Sequence, residues 1–248
     1  MTVTYFATFR HDGVVGAEDL QWLERLLAAT PGLARGLIYT PAQTHDPYLD
    51  DGRPPALAVQ LYFPDIAALE AALAHGGHLQ ALAAPDALPS LRGAAVTQQA
   101  MLARAFAVPD ARSGTASGEP GCTYLVTYEG AAADQNAWVA HYIEHHTAIM
   151  ARFPGIREVE VATRIDWCGF LPWPRVDAML RNKVVFDDAA ALTAALNSPV
   201  RHDMRADFQR FPAFTGTVTH FPMATENLAH GVGLSRASDR RETREGRG

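Results

Sequence analysis

Polar and apolar residues alternate at the start of the chain, in MTVTYFATFR, and again in CTYLVTY (122–128), IREVEVATRI (156–165) and TGTVTHFPM (215–223). A period of two puts one set of side chains on a buried face, so these segments predict β-strands. Between 134 and 152 the apolar positions return every three or four residues instead, which predicts an amphipathic helix. Asp134 is its N-cap and Pro154-Gly155 its stop. MLRNKVVF (179–186) predicts another strand, Asp188 caps a helix running to Leu196, and a further helical stretch covers 199–209. The resulting order is β-α-β-β-α-β.

The same order runs earlier in the chain, and the two copies align. LYFPDIAALEAALA (61–74) and VVFDDAAALTAALN (184–197) match at an offset of 123, which also pairs Pro31-Gly32 with Pro154-Gly155, Pro89 with Pro212 and Gly93 with Gly216. The opening strands TYFATF (4–9) and TYLVTY (123–128) match at 119, so the second copy has gained about four residues before its first helix. An ordered series of matches reads as a tandem duplication. The expected organisation is a first repeat over 1–108, a linker over 109–121 (PDARSGTASGEPG), a second repeat over 122–228 and a disordered tail over 229–248. A four-stranded sheet with helices on one face leaves its other face bare. The expected fold is therefore α+β: two ferredoxin-like repeats pairing their antiparallel sheets into an intramolecular α/β barrel.

Composition narrows the function classes. The 248 residues are 48% hydrophobic and 19% charged with a formal net charge of −6, an ordinary globular balance without the basic stripe of a nucleic-acid binder. No stretch approaches the roughly 20 apolar residues of a membrane span. The N-terminus has no signal-peptide pattern, and Cys122 and Cys168 form neither a CxxC nor a disulfide framework. A cytoplasmic protein with a small organic partner is expected, with no nucleic acid and no membrane; a homodimer is compatible with it. GxGxxG, Walker and GxSxG motifs are absent.

Helix 134–152 carries HYIEHH, with three histidines in six positions. At about 100° per residue, its apolar arc collects Trp138, Val139, Tyr142, Ile143, Ile149, Met150 and Phe153. His146 falls near the middle of that arc and His145 at its edge, while His141 and Glu144 lie on the polar flank. The other repeat serves as a control: Leu23 stands at the place of His146 and Trp22 at that of His145. Packing alone is thus met by leucine, and a buried histidine needs a partner to offset its desolvation. That partner is either a backbone carbonyl, making His146 a core residue, or a group belonging to a reaction site. His141 and His145 have the spacing of a metal-binding pair, but a third ligand is missing nearby, so no metal is expected. His202 and His220 are within the same repeat, with nothing in their spacing that requires a role.

HYIEHHTAIMARFPGIREV resembles the first helix of the EthD-like family within the dimeric α/β-barrel superfamily, in which an aromatic pair, a histidine four residues on and a helical run end in Pro-Gly. The family histidine falls on His146 and an aromatic position on Tyr142; Ala148 stands where the family often has proline. The match spans roughly 122–226. What the resemblance implies is a cofactor-independent fold acting on small organic molecules, with a pocket between sheet and helices. The expectation is an enzyme in which His146 performs general acid–base catalysis on a cyclic or aromatic compound, as an isomerase, cyclase or dehydratase. Tyr142 positions the substrate and Trp138 walls the pocket, with His145 at its rim. No cofactor is expected. The alternative is a non-catalytic protein binding haem or a hydrophobic ligand.

DWCGFLPWP (166–174) joins two strands of the second repeat. Its Trp167, Phe170 and Trp173 have the apolar area to lid a ring-bearing ligand, or to form a self-packed loop or a dimer contact. Arg164 and Asp166, at the strand end, are placed to orient a carboxylate or hydroxyl, or to form a surface ion pair.

Overall fold

The alternating segments all become strands. The structure, a computed structural model, describes residues 2–111 and 121–229. Residues 112–120 of the expected linker and 230–248 of the expected tail lie outside the described residues. β1 (Thr2–Arg10), β2 (Arg35–Pro41), β3 (Leu57–Phe63) and β4 (Ala95–Phe106) precede β5 (Gly121–Ala132), β6 (Glu158–Arg164), β7 (Ala178–Phe186) and β8 (Phe214–Ala229). They close into one antiparallel barrel in the order β1-β3-β2-β8-β5-β7-β6-β4. The expected pairing of two sheets is thus a joining of edges: β2 pairs with β8 and β4 with β6 through backbone ladders. Closure leaves no strand edge unpaired.

Among the described residues six α-helices accompany the strands: α1 (Ala17–Ala28), α2 (Ile66–Leu73), α3 (Gln135–His141), α4 (Thr147–Met150), α5 (Ala189–Leu196) and α6 (Pro199–Phe208). Asp65, Asp134 and Asp188 each accept the backbone N–H three residues on, capping α2, α3 and α5. Gly32 and Gly155 sit at φ 74° and 76°, the left-handed turn that ends a helix, which explains why Pro-Gly recurs at both places. The helix expected over 134–152 is not one regular α-helix. Between α3 and α4, Tyr142–His146 forms a π turn in which the Thr147 N–H reaches back to the Tyr142 carbonyl. The Thr147 hydroxyl donates to the Ile143 carbonyl at 2.7 Å and steadies the widened turn.

Strand alternation separates three cores. Tyr5, Ala7 and Phe9 pack outward with Leu23, Leu27 and Leu69 of α1 and α2. Tyr124, Val126 and Tyr128 pack outward with Trp138, Tyr142, Met150 and Leu192. The opposite parity, including Phe6, Tyr39, Tyr62, Leu125, Phe221 and Met223, fills the barrel. The interior is also charged. Lys183, 1% exposed, lies 3.0 Å from Glu158 and donates to the Tyr62 hydroxyl at 2.6 Å, while Arg35 holds Glu158 with two bonds of 3.1 Å. Gln60 and Tyr62 both donate to Glu160.

Burial pushes the Glu158 carboxyl upward, but Lys183 and Arg35 outweigh it and hold it down at about 2. A folded-state value below the unfolded 4.5 means that this stabilisation is complete above pH 4.5 and is lost as pH falls towards 2. The loss is on the order of 3 kcal/mol. Thermal midpoints should therefore drop across that window, and Glu158→Gln should flatten the acid slope. A slope unchanged in the variant would refute the assignment.

Candidate active site

Three strands, three helices and one loop from the other half of the barrel enclose a cavity of about 380 Å³. Tyr124, Val126 and Tyr128 from β5, Asn182 and Val184 from β7, and Val218 and His220 from β8 form its floor. His146, Met150 and Phe153 close one side; Leu196, Met204 and Phe208 with Arg201 and Arg205 close the other. Leu49 and Asp51 reach in from the loop between β2 and β3. The walls are mainly apolar, with a few polar groups, as expected for an organic ligand.

His146 faces this cavity and is 4% exposed. Its Nδ1 lies 2.8 Å from Asp207 Oδ2, and the other oxygen of Asp207 lies 2.9 Å from His141 Nε2. Burial pushes the Asp207 carboxyl up, yet the hydrogen bonds from His146 and His141 prevail and hold it below its ordinary value. A carboxylate only accepts, so His146 carries its proton on Nδ1 and keeps the Nε2 lone pair. Burial lowers the His146 imidazole from 6.5, and Asp207 offsets only part of this, leaving it at about 4. At neutral pH it is an uncharged base in an apolar wall. The core alternative, a histidine spent on a backbone carbonyl, is not what the structure shows.

A second histidine–carboxylate pair lines the same cavity. His220 Nδ1 lies 2.8 Å from Asp51 Oδ2, which also accepts the His220 backbone N–H at 2.7 Å. Burial lowers this imidazole too, against the pull of Asp51. Beside it, Asp46 accepts from the Tyr124 hydroxyl at 2.7 Å and from Arg201 at 2.9 Å. Arg205 lies over the Tyr48 ring at 4.3 Å.

The other expected site residues fall elsewhere. Tyr142 is fully buried behind the cavity wall rather than in it, and its hydroxyl accepts from Asn182 Nδ2. Trp138 stacks on Tyr142 at 5.2 Å and is likewise sealed in the core. Both therefore support the wall that carries Asn182 instead of touching a ligand. His145 is exposed and lines a separate shallow depression with His141, Glu144 and Arg210. The π turn and the polar flank of the helix account for that: His145 points past the edge of the arc.

The aromatic loop over 166–174 takes the self-packed alternative. Trp167 and Trp173 pack against the first-half core, Trp167 edge-on to Tyr5 at 5.8 Å and Trp173 edge-on to Phe9 at 5.4 Å. Phe170 is 51% exposed and lies against the His75 ring. Arg164 pairs with Asp177 at 2.7 Å and bonds to Gln135 at 2.9 Å, a surface ion pair, and Asp166 is exposed. None of these five lines the His146 cavity. The reason is topological. β2 borders β8 and β6 borders β4, so each β-hairpin ends over the other half of the barrel, and the two hairpin loops cross reciprocally. The loop over 42–56 covers the His146 side, and the loop over 165–177 covers the Tyr5 side.

Asp207, Asp51 and Asn182 were not singled out from sequence, and His220 was named there without a role. For Asp207 a signal existed. Val200, Met204, Asp207 and Phe211 follow the helical period, so a carboxylate interrupts an apolar stripe. His220 alternates with Val218 and Pro222 on one strand face, but its partner Asp51 is 169 residues away.

No protein-family model matches the chain, and no curated protein matches it. Solved structures do. An anthrone oxidase-like protein superposes with a TM-score of 0.63 at 12% identity, over 95% of this chain and 96% of that one. A putative monooxygenase from Lactobacillus acidophilus NCFM gives 0.54 at 13% identity, over 93% and 97%. An ethyl tert-butyl ether d (ethd) family protein from Bacillus halodurans C-125 aligns over 40% of this chain and 96% of its own, at 20% identity and a TM-score of 0.32. Among the described residues no helix is long and apolar enough to cross a membrane. The fold that the chain shares with the first two of these proteins is the dimeric α/β barrel, here closed within a single chain.

Proposed function

We propose that the chain is an oxidoreductase in which His146 removes a carbon-bound proton from a small fused-ring compound and the resulting carbanion reduces dioxygen. The observation that carries this is the His146–Asp207 pair in the wall of an apolar cavity, where the corresponding position of α1 holds Leu23. Asp207 sets the tautomer and leaves Nε2 as the base. A base with a conjugate acid near 4 is weak. It takes a proton only from carbon whose anion is widely delocalised, such as a methylene between aromatic rings. The anthrone named for one structure of this fold has such a methylene, and the names of two structures that share the fold speak of oxidation. They move the reading from isomerisation, cyclisation or dehydration towards oxidation.

The reaction balances without a further reductant. His146 takes one methylene proton, the carbanion forms a C–O bond with dioxygen, and the peroxide anion recovers that proton. The second methylene proton passes to Nε2 as the O–O bond breaks, giving a ketone and hydroxide, which leaves as water with that proton. No bound cofactor enters these steps. Two repeats, 1–108 and 122–228, of which the second retains the base, complete the proposal; Trp138 and Tyr142 support its wall.

Aerobic incubation of the purified chain with dithranol, an anthrone with two phenolic hydroxyls, tests the reading through dioxygen uptake and quinone absorbance. Uptake without added metal or flavin is expected, and its absence would count against the proposal. As His146 must be uncharged, kcat/KM should fall about tenfold per pH unit below about 4 and show no limb at 6.5 from this group. An inflection at 6.5 that disappears in a His146 variant would contradict the assigned environment. A histidine with Nδ1 on a carboxylate is also the arrangement of a metal or haem ligand, which keeps the haem-binding alternative specific. A Soret shift on adding haemin, abolished in the His146 variant, would favour that alternative.

A further inference from the structure

The first half of the barrel shows what each position of the cavity looks like when only packing is required. There α1 presents Leu23, and the crossing loop fills the space with Trp167 and Trp173. Strand pairing locates a second difference. In the ladder between β1 and β4, Ala7 faces Gln98; in the ladder between β5 and β8, Val126 faces His220. Both residues have the same structural task, anchoring the loop that crosses from the other half. Gln98 Nε2 donates to the carbonyls of Leu171 and Trp173 at 3.1 and 2.6 Å, and its Oε1 accepts from the Tyr5 hydroxyl at 2.8 Å. His220 binds Asp51 of the loop through Nδ1 and its own backbone N–H.

A neutral amide therefore suffices to hold a crossing loop. Where the cavity is open, the anchor is an imidazole with a carboxylate partner, as is the residue at the Leu23 position. The two substitutions occur together: Leu and Gln where tryptophans fill the space, His and His at the cavity of about 380 Å³. With Nδ1–H on Asp51, the Nε2 of His220 is an acceptor, and it makes no hydrogen bond among the described residues. Asp51 and Asp46 from the loop, Arg201 from α6 and Tyr124 from β5 are the charged and titratable groups around it. Arg201 is bonded to Asp46, so it leaves the lone pair of His220 open to the cavity.

We propose that His220, held by Asp51, is a second catalytic residue that accepts the phenolic proton of the bound ring while His146 works at carbon. This rests on the reaction assigned above. The phenol O–H bond breaks to Nε2, the phenolate raises electron density in the ring that must reduce dioxygen, and the same proton returns to the oxygen after the ketone has formed. No net proton or electron is added by this step. The substrate class narrows to fused-ring phenols whose hydroxyl and methylene reach opposite walls of the cavity. Asp51 belongs to the loop over 42–56, so the base is complete only when that loop is seated.

Dithranol and unsubstituted anthrone, which has no phenolic proton, separate a catalytic His220 from a mere clasp. His220→Gln copies Gln98 and keeps a loop anchor. It should retain the thermal midpoint, lose roughly 10²-fold in kcat on dithranol, and turn over anthrone like the unaltered protein. Asp51→Asn should shift in the same direction. An equal loss on both compounds, or no loss on dithranol, would overturn the proposal while leaving the reaction itself intact. Failure of the unaltered chain to oxidise either compound would overturn both readings. His146→Leu, by contrast, should lower turnover of the two compounds alike.

Discussion

Replacing His146 with leucine is expected to lower turnover by about 10² to 10⁴-fold while the barrel stays folded. Leucine is what the other half of the molecule carries at the corresponding position, fully buried as Leu23 on α1. The variant also removes a polar ring whose burial lowers its imidazole to about 4, so the desolvation cost disappears along with the base. Asp207 keeps its 2.9 Å partner His141, so no carboxylate is left wholly unpaired. The size of the loss reflects that one lone pair on Nε2 is the acceptor for the carbon-bound proton. Steady-state turnover of dithranol and a thermal melt on the same sample give the two readouts. Retained turnover with an intact fold would refute His146 as the base; a collapsed fold would be resolved with Asp207→Asn. That variant should cost less turnover, because it disturbs only the tautomer and tilt of the ring.

The second large effect is one of stability. Trp167→Ala should destabilise the protein by about 3–5 kcal/mol and leave the chemistry of the His146 cavity untouched. Trp167 is 9% exposed, meets Tyr5 edge-on at 5.8 Å and carries the Arg175 guanidinium 3.9 Å above its ring. Its removal opens a void in the first-half core, which the neighbouring strands cannot fill. Urea denaturation measures the loss, and turnover below the unfolding transition should match the unaltered protein. A lid residue would behave in the opposite way, with turnover impaired at nearly unchanged stability. That opposite pattern would show that the crossing loop reaches the site after all.

What was legible in the chain follows from local physics. The period of two in CTYLVTY and TGTVTHFPM and the period near 3.6 across WVAHYIEHH reflect backbone geometry, so strands, the helix face and the inward aim of His146 were readable. The caps at Asp134 and Asp188 and the Pro-Gly stops are equally local, since each bond spans only a few residues. Tyr142 and Trp138 were placed on the apolar side correctly, but periodicity does not distinguish a wall from the layer behind it. The π turn escaped because no residue type demands it; it is settled by the bond from Thr147 to the Tyr142 carbonyl and by packing against α6.

The identities of the partners required folding. Asp207 is 61 residues from His146, Asp51 is 169 from His220, and nothing in composition joins them. The aromatic loop after β6 joins two strands of the second repeat yet lies over the first, because the two halves share strand edges and each hairpin tip crosses the seam. Side-chain direction within an element is set by a few neighbouring dihedral angles and so is written in the chain. Contact between elements is set by how eight strands close on themselves, and that closure put two histidines, each held by a carboxylate, around one cavity.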